Sequence, residues 1–350
     1  MVGDRTNYHR TKRILFYSNV KSKKMFSIQQ FYRTDIKILK DLGFRVHLSN
    51  NFFDFFLFWK YDITFIYFYR IGLIPAIISK LFFKKVIFTG GIDFLDKQYA
   101  GLKNFYIQKL FFIFCSSVSD KNILVSHSDI HNIKSFKKKL PEKRFPLSYH
   151  VINFQDYKYD GQTKGKVICT ICWMLNEENV LRKGVDKSIC LFKEIFQIDN
   201  EFRMIIIGSI GHGTELLKAI IEKENLTNYI IFTGTISENE KIDILNKSSL
   251  YTQLSEYEGF GIAAIEALAS GNIVVHSGKG GLKDGISSYG ILMENNDFKS
   301  MARNIYNLLS NPSQRNEIIR NGIQHVAENF AYEKRLDDFR CIFNSFDKKK

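Results

Sequence analysis

Two α/β domains, each with a parallel sheet covered by helices, are what this 350-residue sequence predicts. Three observations lead there. Short apolar runs alternate with segments of helical period, the alternation lapses once near the middle, and a second series of the same kind follows. In the first series Arg13–Tyr17 and Phe44–Leu48 read as strands, and Ile28, Tyr32, Ile36 and Leu39 between them form one helical face. Ile63–Phe68, Val86–Phe88 and Ile123–Val125 follow as strands, and Ser126 is placed to cap a helix beginning near Ser128. The polar stretch Asp156–Lys166 reads as the linker. Beyond it the strands are Val167–Cys172, Phe202–Ile207, Ile230–Thr233, Leu250–Leu254 and Ile273–Val275. Ser237 and Glu240 have capping-box spacing for a helix that runs to about Lys247, and helices from Phe298 through Pro312 to Phe346 close the chain. The expected partition is 1–160, 166–330 and a terminal helix in 331–350.

Composition narrows the class. With 45% hydrophobic residues and four prolines the chain is globular and long enough for two cores. Met1–Lys12 is polar, without the apolar centre of a signal peptide. The most apolar stretch, Phe52–Phe88, is interrupted by Asp54, Lys60, Asp62, Arg70, Lys80, Lys84 and Lys85, which argues against a membrane span. A soluble, cytoplasmic protein is therefore expected. Five cysteines form no disulfide framework. Cys169 and Cys172 lie in a predicted buried strand whose alternation points them to opposite faces, so they read as core residues rather than a redox or zinc pair.

Charge is divided unequally. Residues 1–165 hold 28 Lys and Arg against 12 Asp and Glu, whereas residues 166–350 hold 22 against 24. A basic, aromatic-rich first half implies an anionic partner, either a membrane surface or nucleic acid. No helix-turn-helix, zinc-finger or RNA-binding signature is present, so the membrane surface is the expected partner.

The densest chemical signal is Ser255–Asn272. Glu258 and Glu266 stand with seven residues between them, one before a predicted helix and one inside it. Gly259 and Gly261 leave the turn without Cβ atoms, so a ligand can approach the backbone. The helix start behind them offers N–H groups and the positive end of a dipole, which suits a phosphate. Carboxylates around a phosphate cradle match a sugar nucleotide, with hydroxyl donors and an anionic diphosphate.

This segment resembles the signature of the family-4, or group 1, retaining glycosyltransferases: Glu, seven residues, Glu, with Gly-Phe-Gly after the first acid and Glu-Ala at the second. The likeness continues through Gly271 and Ile273–His276 into the Gly-rich turn Gly278–Gly281. It implies the GT-B fold, two Rossmann-like domains facing a cleft, with the last helix crossing back to the first domain. It also implies an N-terminal acceptor domain and a C-terminal sugar-nucleotide domain. Glu258, Lys183 and Asp93 are then the expected catalytic group, and Glu266, Arg182, Gly208, Ile236, Phe260, Gly261 and Ile262 the donor-binding one.

Each assignment has its residue-level basis. Glu266 would hold ribose hydroxyls, and Glu258 with the Phe260–Gly261 backbone the transferred sugar. Lys183-Gly184 matches the family's Lys-Gly on the donor phosphates. The family's Arg just after the strand is replaced by Trp173, with Leu175–Leu181 intervening, and Arg182 is the candidate substitute. Gly208 ends a strand at the nucleotide, although Gly208-Ser-Ile-Gly211-His-Gly213 lacks dinucleotide order, and His212 is an ordinary turn histidine. The loop Thr233–Ser237 corresponds to a backbone contact with the base, so the base is unreadable. The His expected near Gly90 is missing. Asp93 and, secondarily, His127 are the candidates on the acceptor side. No Asp-x-Asp occurs, so neither metal nor other cofactor is expected, and Lys, Arg and helix amides neutralise the leaving group. The implied reaction moves a sugar onto a saccharide or lipid-linked acceptor in surface polysaccharide assembly (lipopolysaccharide or capsule), with the enzyme peripheral on the inner face of the cytoplasmic membrane. The competing reading is a non-catalytic scaffold of the same fold, or a basic nucleic-acid- or membrane-binding protein.

Overall fold

The computed structural model describes residues 11–157, 159, 161 and 164–346. The expected polar N-terminus up to Arg10, four linker residues (Lys158, Asp160, Gln162 and Thr163) and the terminal lysines lie outside the described residues. The chain divides into two compact units.

The first unit comprises the chain up to Val125, Asn132–Ser148 and the residues from Arg335 onward. Its elements are β1 (Arg13–Tyr17), α1 (Met25–Ile28), α2 (Gln30–Asp41), β2 (Arg45–Ser49), β3 (Ile63–Tyr67), α3 (Tyr69–Leu81), β4 (Lys85–Thr89), α4 (Lys97–Val118) and β5 (Lys121–Ile123), and α5 (His127–Lys134) follows. The strands pair in parallel in the order β2-β1-β3-β4-β5. β3 is buried at every position, as a parallel strand covered on both faces must be. Phe16 and Phe65, partners across β1 and β3, stack at 5.4 Å. Ser126 accepts from the Asp129 N–H at 3.0 Å, which is the expected cap on α5.

The second unit holds Ser126–His131 and Tyr149–Lys334. It contains β6 (Gly165–Ile171), α6 (Glu177–Arg182), α7 (Val185–Ile198), β7 (Arg203–Ile207), α8 (His212–Lys223), β8 (Ile230–Phe232), α9 (Glu238–Lys247), β9 (Ser248–Gln253), α10 (Ile262–Ala269), β10 (Ile273–His276), α11 (Leu282–Ile286), β11 (Ile291–Leu292), α12 (Phe298–Leu309) and α13 (Pro312–Asn329). Its sheet is parallel, in the order β11-β10-β9-β6-β7-β8. Strand order reverses at β6, and the carboxyl ends of β6 and β9 meet there. In open parallel sheets that reversal is where a ligand crevice forms. Cys169 packs in the core on one side of this sheet and Cys172 in the core on the other, as alternation requires. The Ser237–Glu240 capping box that opens α9 is present.

The last helix, α14 (Tyr332–Asn344), contributes its residues from Arg335 onward to the first unit. Phe339 packs on Phe65 with ring centroids 5.8 Å apart, and Phe343 on Phe44 at 4.7 Å.

The longer segment of the second unit begins at Tyr149, ahead of the stretch where periodicity lapses. Val151, Ile152 and Tyr157 are buried there despite their irregular pattern, and Ile152 and Tyr157 join one hydrophobic core of the second unit. Lys164 donates to the Leu245 carbonyl at 2.9 Å, and Gly165 and Lys166 already belong to β6. The inserted Leu175–Leu181 supplies most of α6, and the short α11–β11 pair had no periodic signal of its own.

Candidate functional site

The candidate site of the second unit is assembled from loops at the carboxyl ends of its strands. After β6 the chain forms α6 and turns through Lys183-Gly184 into α7. Gly184 adopts φ +65°, and a Cβ there would strike the Leu254 carbonyl. Only glycine lets this turn lie flat against the end of β9. The Glu256 N–H donates to the Arg182 carbonyl at 2.8 Å, which clamps the two loops together.

That clamp brings Lys183 to Glu258. Their side chains form an ion pair, both mostly withdrawn from solvent. The same Glu258 Oε2 accepts from Gln253 Nε2 at 3.3 Å, while the Tyr251 hydroxyl donates to Gln253 Oε1 at 2.7 Å. Ser255 Oγ takes a further Gln253 N–H at 2.8 Å. A buried polar relay on β9 therefore orients the carboxylate that meets the ammonium. Arg182 sits beside this pair but turns to Asn179 Oδ1 at 2.8 Å and the Tyr257 carbonyl at 3.4 Å.

Gly261 takes φ +91° as the residue before α10, and no side chain caps that helix. The Gly-rich turn packs directly on this loop. The Gly281 N–H donates to the Glu258 carbonyl at 2.7 Å, and a Cβ on Gly280 or Gly281 would collide with the Glu258 or Gly259 carbonyl. Phe260 is buried and stacks on Tyr149 at 5.5 Å. Ile262, half-buried, begins the helix.

Glu266, one turn into α10, is 1% exposed. Its Oε1 accepts from the Tyr157 hydroxyl at 2.8 Å and its Oε2 from Lys241 Nζ at 2.8 Å. Lys241 also pairs with Glu238 at 2.6 Å. Burial pulls the Lys241 ammonium down, but Glu266 and Glu238 more than offset this and raise its pKa. Burial and the same carboxylates push the Tyr157 phenol far up, so it stays a donor.

Gly208 ends β7 at φ +141°, where a Cβ would collide with the Cys172 carbonyl, and its N–H donates to the Gly234 carbonyl at 3.3 Å. It thus gathers the ends of β6, β7 and β8. Ile236 lies half-buried just beyond, ahead of the Ser237 cap. Asp93 belongs to the first unit, at the start of the one-turn helix Asp93–Leu95. His127 is exposed, its N–H and Nδ1 directed at Asp284 at 2.7 and 3.1 Å.

Sequence reading missed Gln253, Tyr251, Tyr157 and Lys241. The first two sit on a strand where they look like ordinary core. The last two reach Glu266 from 109 and 25 residues away, a pairing that single-sequence patterns do not carry. Another unforeseen residue is His276, at the end of β10. It is 2% exposed, and neither ring nitrogen has a partner among the described residues. Burial lowers its pKa to about 4. The folded state thus binds a proton less readily than the unfolded one, so stability holds above pH 6.5 and falls as pH drops toward 4. The full loss is about 3 kcal/mol. Urea titrations between pH 7 and 4 should show this slope in the wild type and a shallower one in His276→Leu.

Residues 178–325 match the family described as glycosyl transferases, group 1. A glycosyltransferase of Methanocaldococcus jannaschii is 25% identical over 272 residues, 76% of this chain and 60% of that one. A lipopolysaccharide core biosynthesis mannosyltransferase of Rhizobium leguminosarum is 26% identical over 171 residues, 47% of this chain and 48% of that one. The matches thus span 60% and 48% of these relatives' own lengths. Among solved structures, Anabaena HepE in complex with UDP and glucose superposes with a TM-score of 0.76 at 15% identity, over 95% of this chain and 100% of the other.

Proposed function

We propose that this chain, whose residues 178–325 match the family of group 1 glycosyl transferases, is a retaining glycosyltransferase moving a sugar from a nucleoside-diphosphate donor to a saccharide or lipid-linked acceptor. Its two Rossmann-like parallel-sheet domains are those of the GT-B fold. The observation that carries the reading is the Glu258–Lys183 pair set against the uncapped start of α10, at the point where strand order reverses.

In this reading Lys183 and the α10 amides take the diphosphate, supported by Arg182 and by the Gly208 and Ile236 backbone. Glu258, with Phe260, Gly261 and Ile262, holds the transferred sugar. Glu266 holds the ribose, since its carboxylate keeps acceptor capacity beyond Tyr157 and Lys241. Asp93 contributes from the acceptor domain. The leaving diphosphate departs from the face that the acceptor hydroxyl attacks, so configuration is retained without a protein nucleophile, and catalysis is electrostatic and positional. In this reading Lys183, Arg182 and the α10 amides neutralise the charge that develops on the leaving diphosphate. Likeness to a lipopolysaccharide core biosynthesis mannosyltransferase supports an acceptor in surface polysaccharide assembly.

The test is a thermal-shift screen with UDP, GDP, ADP and CMP. A nucleoside diphosphate at a hundred times its Kd stabilises the fold by about 2.7 kcal/mol. Glu266→Ala should abolish that shift and the transfer while keeping its circular dichroism. No shift with any nucleotide, or full transfer by Glu266→Ala, rejects the assignment.

A further inference from the structure

We infer that the outer face of α3 and α4 is a docking surface for an anionic lipid bilayer, on which the protein lies without spanning it. The two helices occupy consecutive right-handed crossovers, β3-α3-β4 and β4-α4-β5, so they cover the same face of the first sheet. They also pack on each other, with the Tyr69 and Phe112 rings 4.9 Å apart and Cys115 Sγ 3.2 Å from the Tyr69 carbonyl. Inward positions such as Gly72, Ala76, Phe105 and Phe112 are buried against that sheet or the neighbouring helix.

The opposite stripe is apolar where a surface helix is normally polar. On α3, Ile74, Ile77 and Leu81 follow at helical spacing, and Phe83, just beyond the helix, is 96% exposed. On α4, Leu102, Tyr106, Leu110 and Phe114 form a second exposed row. Exposed apolar surface of this extent on a soluble protein marks an interaction site.

Charge chooses the occupant. Neither α3 nor α4 contains an Asp or Glu, while Arg70 on α3 and Lys103 on α4 are exposed. A second copy seated on this face would set these cations against their own duplicates, with no acids on either helix to answer them. Anionic headgroups answer them, and acyl chains take the apolar rows. Among the described residues no helix is long and apolar enough to cross a membrane. The inference deepens the proposed function, on which it rests for its purpose: a lipid-linked acceptor is presented at such a surface.

Flotation of the full chain tests it, with vesicles of phosphatidylglycerol and phosphatidylcholine against phosphatidylcholine alone. Wild type should float with the anionic vesicles, less so at high salt. Leu110→Glu/Phe114→Glu should cut the bound fraction about tenfold or more, and Lys103→Glu should weaken binding to anionic vesicles. Ile231→Glu, equally exposed but on the second unit, should change nothing. Overturning results are an absence of flotation by wild type, unchanged flotation by the α4 double variant, or a dimer that this variant dissolves without any lipid binding. Nucleotide thermal shifts on the same proteins separate the two claims. A double variant that no longer floats but binds nucleotide upholds both, and flotation with a neutral Glu266→Ala upholds docking alone.

Discussion

Glu258→Gln is expected to lower the rate of sugar transfer by about a hundred- to a thousandfold, the loss seen when one preorganised electrostatic group is removed from a transition-state site. The substitution preserves shape and leaves the β9 relay a partner. Gln253 and Ser255 still have an acceptor near the present Oε2, so the fold survives. What disappears is the negative charge facing Lys183. The freed ammonium should hold a nucleoside diphosphate as tightly as before or more so. Lys183→Met should weaken both nucleotide binding and transfer. Calorimetric titration of the diphosphate, alongside steady-state transfer, reads this split. Equal loss of affinity in both variants would place Glu258 on the nucleotide rather than on the sugar, and unchanged transfer by Glu258→Gln would remove it from the reaction.

Arg335→Met is expected to destabilise the first unit by about 3–5 kcal/mol, the cost of leaving one member of a buried ion pair alone. Arg335 is fully buried. Its Nε and Nη2 donate to the two oxygens of Asp35 at 2.6 and 2.9 Å, and Nη1 donates to the Ser148 carbonyl at 2.5 Å. The Tyr67 hydroxyl adds a 2.5 Å donation to Asp35, and Phe339 lies under the guanidinium at 4.7 Å. Burial alone would lower the guanidinium pKa, but Asp35 offsets this and raises it, so Arg335 stays charged. Removing Arg335 strands the Asp35 carboxylate among aromatic rings. Urea unfolding should show an earlier midpoint for the first unit with little change of slope. Arg335→Met/Asp35→Asn should recover part of the loss, because the double change removes the orphaned charge as well. A shift below about 0.5 kcal/mol would mean that α14 is held by its phenylalanines alone.

Both experiments separate what local pattern announces from what folding assembles. The strand cores, the capping boxes and the Glu-x7-Glu segment are properties of neighbouring residues, so period, turn chemistry and spacing expose them directly. Lys183-Gly184 stands out through its likeness to the Lys-Gly of the resembling family rather than through period or spacing. The boundary at Tyr149 leaves no such trace, since the buried Val151, Ile152 and Tyr157 follow no single period.

By itself, the order of residues determined two parallel sheets, the acidic pair around α10 and the cationic excess of the first half. Only the tertiary structure decided that Lys183 meets Glu258, that Tyr157 and Lys241 enclose Glu266, that Asp35 takes Arg335 from 300 residues away, and that the cations line an apolar outer face. The reason is physical. Periodicity records which side of its own helix or strand a residue occupies, whereas a charge or hydroxyl buried far from water must find its partner wherever the packed sheets bring one within about 3 Å.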